Sequence, residues 1–217
     1  MQQYPIRVVK TEFPDDYTQI LTTTKPQDYK YLAGQYTKLT ISHQKPDSRG
    51  VCRDFSFASH PNEGNLVFIS RIPEVHSTYK EAMKNLTLGD TIEISIPVGH
   101  FILPDSPDTS MIWIAAGVGI APFRGFVLSK LNFANTKLFF TNPNENYSFI
   151  EEFKYIDITK NNSKIDGHFT EITFSNCDKT ALYYLCGNTK FILSVQQVLL
   201  KLGIKPSQFR KDVFTGY

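Results

Sequence analysis

Cysteine is scarce in this chain of 217 residues: Cys52, Cys177 and Cys186 are odd in number and share no metal-ligand spacing. They argue against a disulfide scaffold and against a four-cysteine iron–sulfur cluster held by this chain alone. No metal site is expected. Charge of one sign is also lacking. The formal net charge is +2, which argues against a nucleic-acid binder relying on a strong basic field, and no recognition motif for nucleic acid appears. Long apolar runs are missing too: Pro122 and Arg124 interrupt the best candidate, so no membrane span is expected. Met1-Gln2-Gln3-Tyr4 leads directly into a charged, strand-like segment with no signal-peptide pattern, and the default expectation is a cytoplasmic protein. What the chain does have is apolar and aromatic. Hydrophobic residues make up 41% of it, with 17 Phe and 11 Tyr. That suffices for one large domain or two small ones, each with a core. The aromatics suit a strand-rich core, or stacking on a flat ligand.

The chain is organised around Met111 to Phe126, MIWIAAGVGIAPFRGF. Met111 to Ala115 is an uncharged apolar run that reads as a buried strand. It turns on Gly117 and Gly119 and resumes as a helix. Pro122 suits the first turn of that helix, because its missing N–H would have no helical partner anyway. Glycines let backbone N–H groups approach an anion, and a helix N-terminus favours negative charge. The pattern is Gly-x-Gly-x-x-Pro, not the Gly-x-Gly-x-x-Gly of the standard dinucleotide fold, and no Gly-Lys-Ser/Thr follows to make a P-loop. By itself it is equally consistent with an ordinary tight strand-to-helix turn.

Ahead of this stretch, short strands follow one another. Ile6–Phe13 and Tyr17–Thr24 flank the turn residues Pro14-Asp15-Asp16. Tyr36–Ser42, Arg53–Ser59, Leu66–Ile72 and Thr91–Ile96 continue the series, separated by a polar loop over His43–Gly50 and by turns at His60–Gly64 and Gly89-Asp90. Such a series predicts a six-stranded antiparallel barrel. A helix over Tyr79–Leu88 plugs one end, N-capped by Ser77 or Thr78, with Glu81 in capping-box register to Thr78. Pro104 to Asp108 is the linker. Beyond it strands and helices alternate: Met111–Ala115, a helix from Pro122 to about Leu131, and Lys137–Thr141. Then come a helix near Ser148–Tyr155, a strand near Tyr155–Thr159, a strand over Ala181–Cys186, and a helix from Lys190 to about Leu202 capped by Gly203. The fold class is therefore β + α/β. An antiparallel barrel over residues 1–104 precedes a parallel sheet with helices on both faces over 109–217. Ligands of such sheets bind beyond the carboxyl ends of the strands, where Gly117, Gly119, Cys186 and Gly187 fall.

Several motifs occur in order across nearly the whole chain. They are Leu32-Ala33-Gly34-Gln35-Tyr36, Arg53-Asp54-Phe55-Ser56, Pro97-Val98-Gly99-His100-Phe101, Gly117-Val118-Gly119-Ile120-Ala121-Pro122, Tyr184-Leu185-Cys186-Gly187 and Phe214-Thr215-Gly216-Tyr217. The ordered set resembles the ferredoxin–NADP reductase superfamily, the two-domain flavin reductases. In turn, the pieces are similar to the family's Pro-Gly-Gln strand start, its Arg-x-Tyr-Ser flavin signature and the Pro-x-Gly-x-Phe that closes the barrel. The later ones are similar to its nucleotide loop, its late Cys-Gly strand and its C-terminal aromatic ending. This chain departs at Ala33, which replaces a proline, at Phe55, which lacks the family tyrosine's hydroxyl, and at Asn188-Thr189, where the family often has proline.

The resemblance implies FAD in the barrel, with NADH or NADPH as co-substrate across the cleft and hydride passing from nicotinamide C4 to flavin N5. Arg53, Asp54, Phe55 and Ser56 would bind the flavin: Arg53 forks onto the pyrophosphate, Phe55 packs on the ring and Ser56 meets N5 and O4. Ser70, Arg71 and Ile72 would contact it from the next strand, although Arg71 reads equally as a surface charge. His76, Ser77 and Thr78 stand where the family has a Gly-rich turn against the pyrophosphate; His76 reads as well as a loop histidine facing solvent. Gly117, Gly119 and Pro122 would hold the pyrophosphate of the nicotinamide coenzyme. Thr141 and Asn142 would lie at its ribose, and Cys186 and Gly187 near its nicotinamide. Phe214 or Tyr217 would cover the flavin face. The catalytic candidates are Ser56, Cys186 and Asp212; Cys186 also reads as a buried small hydrophobe, and Asp212 as a surface aspartate. No Lys or Arg lies in Thr141 to Asn146, and Glu145 would repel a 2′-phosphate, which tilts the reading to NADH; Lys160 and Lys164 are the cations left to reach it. The acceptor would be separate: a ferredoxin, a flavodoxin or an oxygenase component. The alternative is a non-autonomous electron-transfer subunit or a flavin-binding module of a larger redox complex.

Overall fold

Strands dominate the first half because apolar residues alternate there with polar ones. The computed structural model describes residues 2–106, 108–129, 133–142, 150–161 and 169–214. Its first sheet comprises β1 (Gln3–Asp15), β2 (Thr18–Thr24), β3 (Tyr36–Thr40), β4 (Cys52–Ser56), β5 (Asn65–Arg71) and β6 (Thr91–Ser95). These pair in the order β4-β3-β6-β1-β2-β5, every pair antiparallel. The sheet closes just past β4, where the Ala58 N–H donates to the Val67 carbonyl at 2.9 Å and the Val67 N–H donates to Ser59 Oγ at 3.1 Å. The barrel is thus the expected one. Ile6 and Val8, Leu66 and Phe68, and Ile92 and Ile94 are spaced two apart, so each pair turns to the same face and fills the interior.

Helix α1 (Thr78–Lys84) plugs this interior with Tyr79 and Met83, four apart and therefore on one face. Three details differ from the sequence reading. Ser77 alone is the N-cap, its hydroxyl accepting from the Lys80 N–H at 3.3 Å. The Thr78–Glu81 capping box does not form, and Glu81 turns to His76 and Asn85 instead. The helix also ends at Lys84, with Asn85 as its C-cap, rather than at Leu88. Leu86 is drawn into the barrel core, and the Asp90 carboxylate takes both the N–H and the hydroxyl of Thr87, which starts a turn.

The second sheet is parallel, in the order β11-β10-β7-β8-β9. Its strands are β7 (Met111–Ala116), β8 (Thr136–Thr141), β9 (Asp157–Asn161), β10 (Leu182–Asn188) and β11 (Phe209–Phe214). The helices are α2 (Ala121–Val127), α3 (Glu171–Phe174) and α4 (Thr189–Lys201). Trp113 and Ala115 pack with Phe123 and Phe126 of α2 on one face, while Ile112 and Ile114 pack with Ile192 and Val195 of α4 on the other. A strand covered on both faces has no polar side, which is why β7 reads as an unbroken apolar run. Helix α2 is shorter than expected, ending at Val127 with Leu128 as its C-cap. In place of the helix near Ser148–Tyr155, the described part is a short 3₁₀ turn, Ile150–Phe153. The strand β11 and the one-turn helix α3 have no counterpart in the sequence reading.

Barrel and parallel sheet share a core: Ile20, Ala58, Ile69 and Phe101 pack with Val118, Phe126 and Tyr184. Gly34 marks how close they come. Its φ is +88°, and a Cβ there would lie 1.8 Å from the Phe101 carbonyl oxygen and 2.6 Å from the Phe126 ring. Arg124 of α2 ties the same seam, donating to the Ala58 carbonyl at 2.9 Å and pairing with Glu63 at 3.1 Å and Glu152 at 2.9 Å. Among the described residues no helix is long and apolar enough to cross a membrane.

Candidate functional site

Along this seam a cleft of about 440 Å³ opens, walled by β4 and α1 on the barrel side and by β11 and the Gly117–Ile120 turn on the other. At one end two hydroxyl-and-carboxylate partners meet across the seam. The Ser56 hydroxyl donates to Asp212 Oδ2 at 2.5 Å, though the two residues are 156 positions apart. The Cys186 Sγ–H points at the same oxygen from 3.8 Å, because the parallel register of β10 and β11 sets Cys186 beside Asp212. All three catalytic candidates therefore converge on one oxygen. Burial pushes the Asp212 carboxyl up to about 6; the bonds from Ser56 and Cys186 pull the other way, and the charge of Asp54 adds to the rise. Burial, and then the Asp212 charge, push the Cys186 thiol well above its ordinary range, so it stands there as a neutral donor and not as a thiolate nucleophile.

The other end of the cleft is cationic. Arg53 on β4 is clamped: it donates to the carbonyls of Arg49, Gly50 and Cys52 at 3.0, 2.9 and 2.7 Å and pairs with Asp47 at 2.8 Å. Its guanidinium lies over the Tyr79 ring, 4.8 Å from the centroid, and its side chain is only 12% exposed. Arg49 pairs with the other Asp47 oxygen at 2.7 Å. The Arg49 hydrogen bond, opposed by some desolvation and joined by the charges of both arginines, holds the Asp47 carboxyl down at about 2. Lys80 of α1 donates to Ser70 Oγ and stands 5.6 Å from the centroid of the Phe55 ring. Burial, helped by the charges of Arg53 and Arg49, pushes its ammonium down to about 8. Phe55, 7% exposed, offers an apolar wall between the two ends, and Asp54 pairs at the rim with Lys38 at 2.9 Å.

Other expected residues are placed elsewhere. Ile69 of β5 lines the cleft, whereas Ser70, Arg71 and the following Ile72 do not. Ser70 is buried beneath Lys80, Ile72 is buried with its N–H on the Tyr17 carbonyl, and Arg71 is exposed over the Tyr17 ring. His76, Ser77 and Thr78 are likewise outside its lining. The His76 ring spans from the Pro73 carbonyl to Glu81, 2.6 Å at each end, and the bonds to Glu81 and Pro73 raise its affinity for a proton. Thr78 meets His43 at 3.3 Å on the surface. Local partners within the 73–81 turn have taken the His76 and Ser77 side chains.

At the carboxyl edge of the parallel sheet, Gly117 has a φ of +53°, and Gly119 sits so close to β10 that a Cβ would lie 2.4 Å from the Cys186 carbonyl oxygen. A Cβ on Gly187 would meet the Phe191 ring at 2.9 Å. Pro122 stands in the first turn of α2, as expected, and Val118 and Ala121 line the cleft. Thr141 and Asn142, at the end of β8, are each only 6% exposed, so Asn142 is not part of an exposed polar loop. Phe214 closes the cleft on the β11 side. Tyr217 lies outside the described residues, as do Thr215, Gly216, Asn144, Glu145, Asn146 and Lys164. The sequence reading missed Arg49, Lys80 and Lys211 in the cleft lining. The one signal for Arg49 was its place, two residues past Asp47 in a polar loop; a lone lysine on a short helix carries none.

No family model matches the chain. It is similar to the flavohemoprotein of Bacillus subtilis, 26% identical over 221 residues that cover 88% of this chain and 54% of that protein. It is also similar to the terephthalate 1,2-dioxygenase reductase component 1 of a Comamonas species, 26% identical over 210 residues, 85% of this chain and 60% of that protein. In three dimensions it superposes on a ferredoxin NADP+ reductase from Neisseria gonorrhoeae, solved with bound FAD and NADP, with a TM-score of 0.80, 16% identity and 100% of both chains covered. The fold is that of the ferredoxin–NADP reductases. The chain spans little more than half the length of the two sequence relatives.

Proposed function

We propose that this chain is a flavin-dependent oxidoreductase that binds FAD against its barrel, takes reducing equivalents from NADH or NADPH, and passes electrons to a separate acceptor. The observation that carries the reading is the cleft itself. Ser56, Asp212 and Cys186 meet at one end and Arg49, Arg53 and Lys80 gather at the other, with the Phe55 ring between them. The donor set fits FAD: planar guanidiniums match diphosphate oxygens, and a flat apolar wall matches the ring system. When bound, FAD supplies the redox chemistry.

The chain's own residues do the rest. Arg53 needs no reorganisation, because backbone carbonyls already hold its guanidinium. Ser56 keeps its hydroxyl at the reacting end, and Asp212, poised near 6, can hold or release a proton beside it. Cys186 presents a neutral thiol to the same oxygen. The Gly117–Gly119 turn lets backbone N–H groups come close to the coenzyme pyrophosphate. Residues 1–104 serve as the flavin half and 109–217 as the coenzyme half. A ferredoxin, flavodoxin or oxygenase component is the acceptor; the similarity to a dioxygenase reductase component supports the last of these.

The test starts from purified protein. Pigment released by heat should run as FAD, and NADH- or NADPH-dependent reduction of a dye should follow. FMN alone, or no pigment, would overturn the cofactor reading. Colour without turnover would favour the other reading, a non-autonomous subunit or flavin-binding module of a larger redox complex.

A further inference from the structure

Lys80 of α1 lines the cationic end of the cleft beside Arg49 and Arg53. Its half-buried ammonium donates to a neutral hydroxyl, Ser70 Oγ, and among the described residues no carboxylate pairs with it. Burying a cation beside two guanidiniums is costly unless an anion completes the group. Asp47 is the carboxylate of that cluster, and both of its oxygens are already engaged by Arg53 and Arg49. The groups around Lys80 are otherwise committed. Asp54 pairs with Lys38 at the rim, Glu81 on its own helix pairs with His76, and Arg71 of β5 is turned to Tyr17. Cys52, Lys211 and Asp212 line the same cleft without an ion pair to Lys80. Lys84 shares the helix but lies in its last turn.

We propose that Lys80 is a phosphate ligand of the bound flavin, completing with Arg49 and Arg53 a three-cation cradle for its anionic arm. The inference rests on the flavin reading above and deepens it. Lys80 stands against the Phe55 ring, so a phosphate reaching it also passes the residue that lacks the family tyrosine's hydroxyl. The depressed proton affinity of Lys80, about 8, adds a consequence. An anion beside the ammonium restores its preference for the charged form, so binding above pH 8 must take up a proton.

The experiment measures dissociation constants for FAD, FMN and riboflavin by flavin fluorescence, at fixed ionic strength, in the wild type, Lys80→Met and Lys80→Arg. Charge-assisted bonds to phosphate predict that Lys80→Met weakens FAD and FMN about tenfold or more while riboflavin, which has no phosphate, stays within about twofold. Lys80→Arg keeps a fixed cation and should remain close to wild type at pH 7. Wild-type FAD affinity should fall as pH rises through 8, and that fall should be absent in Lys80→Arg. Equal weakening of riboflavin, unchanged FAD binding in Lys80→Met, or a pH dependence shared by both cationic forms would each overturn the proposal. If Lys80→Met does not fold, Lys80→Arg and the wild-type pH series still decide. A wild type that binds none of the three flavins would instead overturn the flavin reading, and this inference with it.

Discussion

Asp212→Asn should stabilise the flavin-free protein at neutral pH while damaging its chemistry. The folded state raises the Asp212 carboxyl from 3.8 to about 6, chiefly by burial. Each pH unit of altered proton affinity is worth about 1.4 kcal/mol, so keeping Asp212 ionised costs the fold about 2–3 kcal/mol at pH 7. The sign follows from the direction. Below pH 3.8 the group is protonated whether folded or not, and the proton's contribution is fully present. It is lost as pH rises through 6. Asparagine is neutral throughout and still offers Ser56 an acceptor oxygen. Urea melts of both proteins between pH 4 and 8 give the difference directly. The variant's advantage should grow across the window from about 4 to 6 and then level off. Dye reduction by the FAD-loaded variant should drop at every pH. A stability difference that is flat with pH, or a less stable variant at pH 7, would refute the burial argument.

Other perturbations separate the two ends of the cleft. Arg53→Ala should weaken FAD retention by about ten- to a hundredfold, since charge-assisted bonds are worth about 1.5–3 kcal/mol each; Ser56→Ala should mainly slow flavin reduction in stopped flow. Equal effects of the two on binding and on reduction would contradict the division. Gly119→Ala places a methyl 2.4 Å from the Cys186 carbonyl oxygen, and forcing β10 aside should cost about 1–3 kcal/mol in a urea melt; a neutral substitution would mean the turn yields freely. NADH should be used at least as well as NADPH, because Thr141 to Asn146 contains no cation. The measurement is kcat/KM for both at one salt concentration, and a strong NADPH preference would require a lysine or arginine from elsewhere in the fold.

How much of this was legible in the chain depends on the range of the interaction. The barrel strands were readable because alternation and turn residues are local signals, and β7 was readable because both of its faces are covered. Ser56 and Asp212 are 156 positions apart; no spacing rule links them, and their meeting follows from closure of the barrel and the β10–β11 register. Motif resemblance supplied both residues without showing that they touch. The capping box failed for a local reason. Thr78 and Glu81 had the right spacing, but Ser77 took the N-cap one residue earlier and left Glu81 for His76. On β5 the period of the strand sends Ile69 to the cleft and turns Ser70 to the opposite, buried face, while Arg71 at the strand's end lies over the Tyr17 ring. Arg49 and Lys80 were out of reach. A lysine on a seven-residue helix ordinarily faces water, and its partial burial here comes from α1 lying against Ser70 and Phe55.

That packing gives the cleft two charged ends of opposite sign. Asp212 loses its proton near 6 and Lys80 loses one near 8, so between those values the carboxylate end and the ammonium end are both ionised. The two groups sit on different elements and answer to different causes: Asp212 to burial against β10, Lys80 to burial beside two arginines. They should therefore titrate separately in function. Flavin affinity should follow Lys80 and weaken above pH 8, while the rate of flavin reduction, measured at saturating flavin, should change near pH 6 with Asp212. Asp212→Asn should abolish the lower transition and leave the upper one in place; Lys80→Arg should do the reverse. Binding and reduction profiles that move together in either variant would mean that one group governs both ends, and the cleft would then have to be treated as a single coupled site.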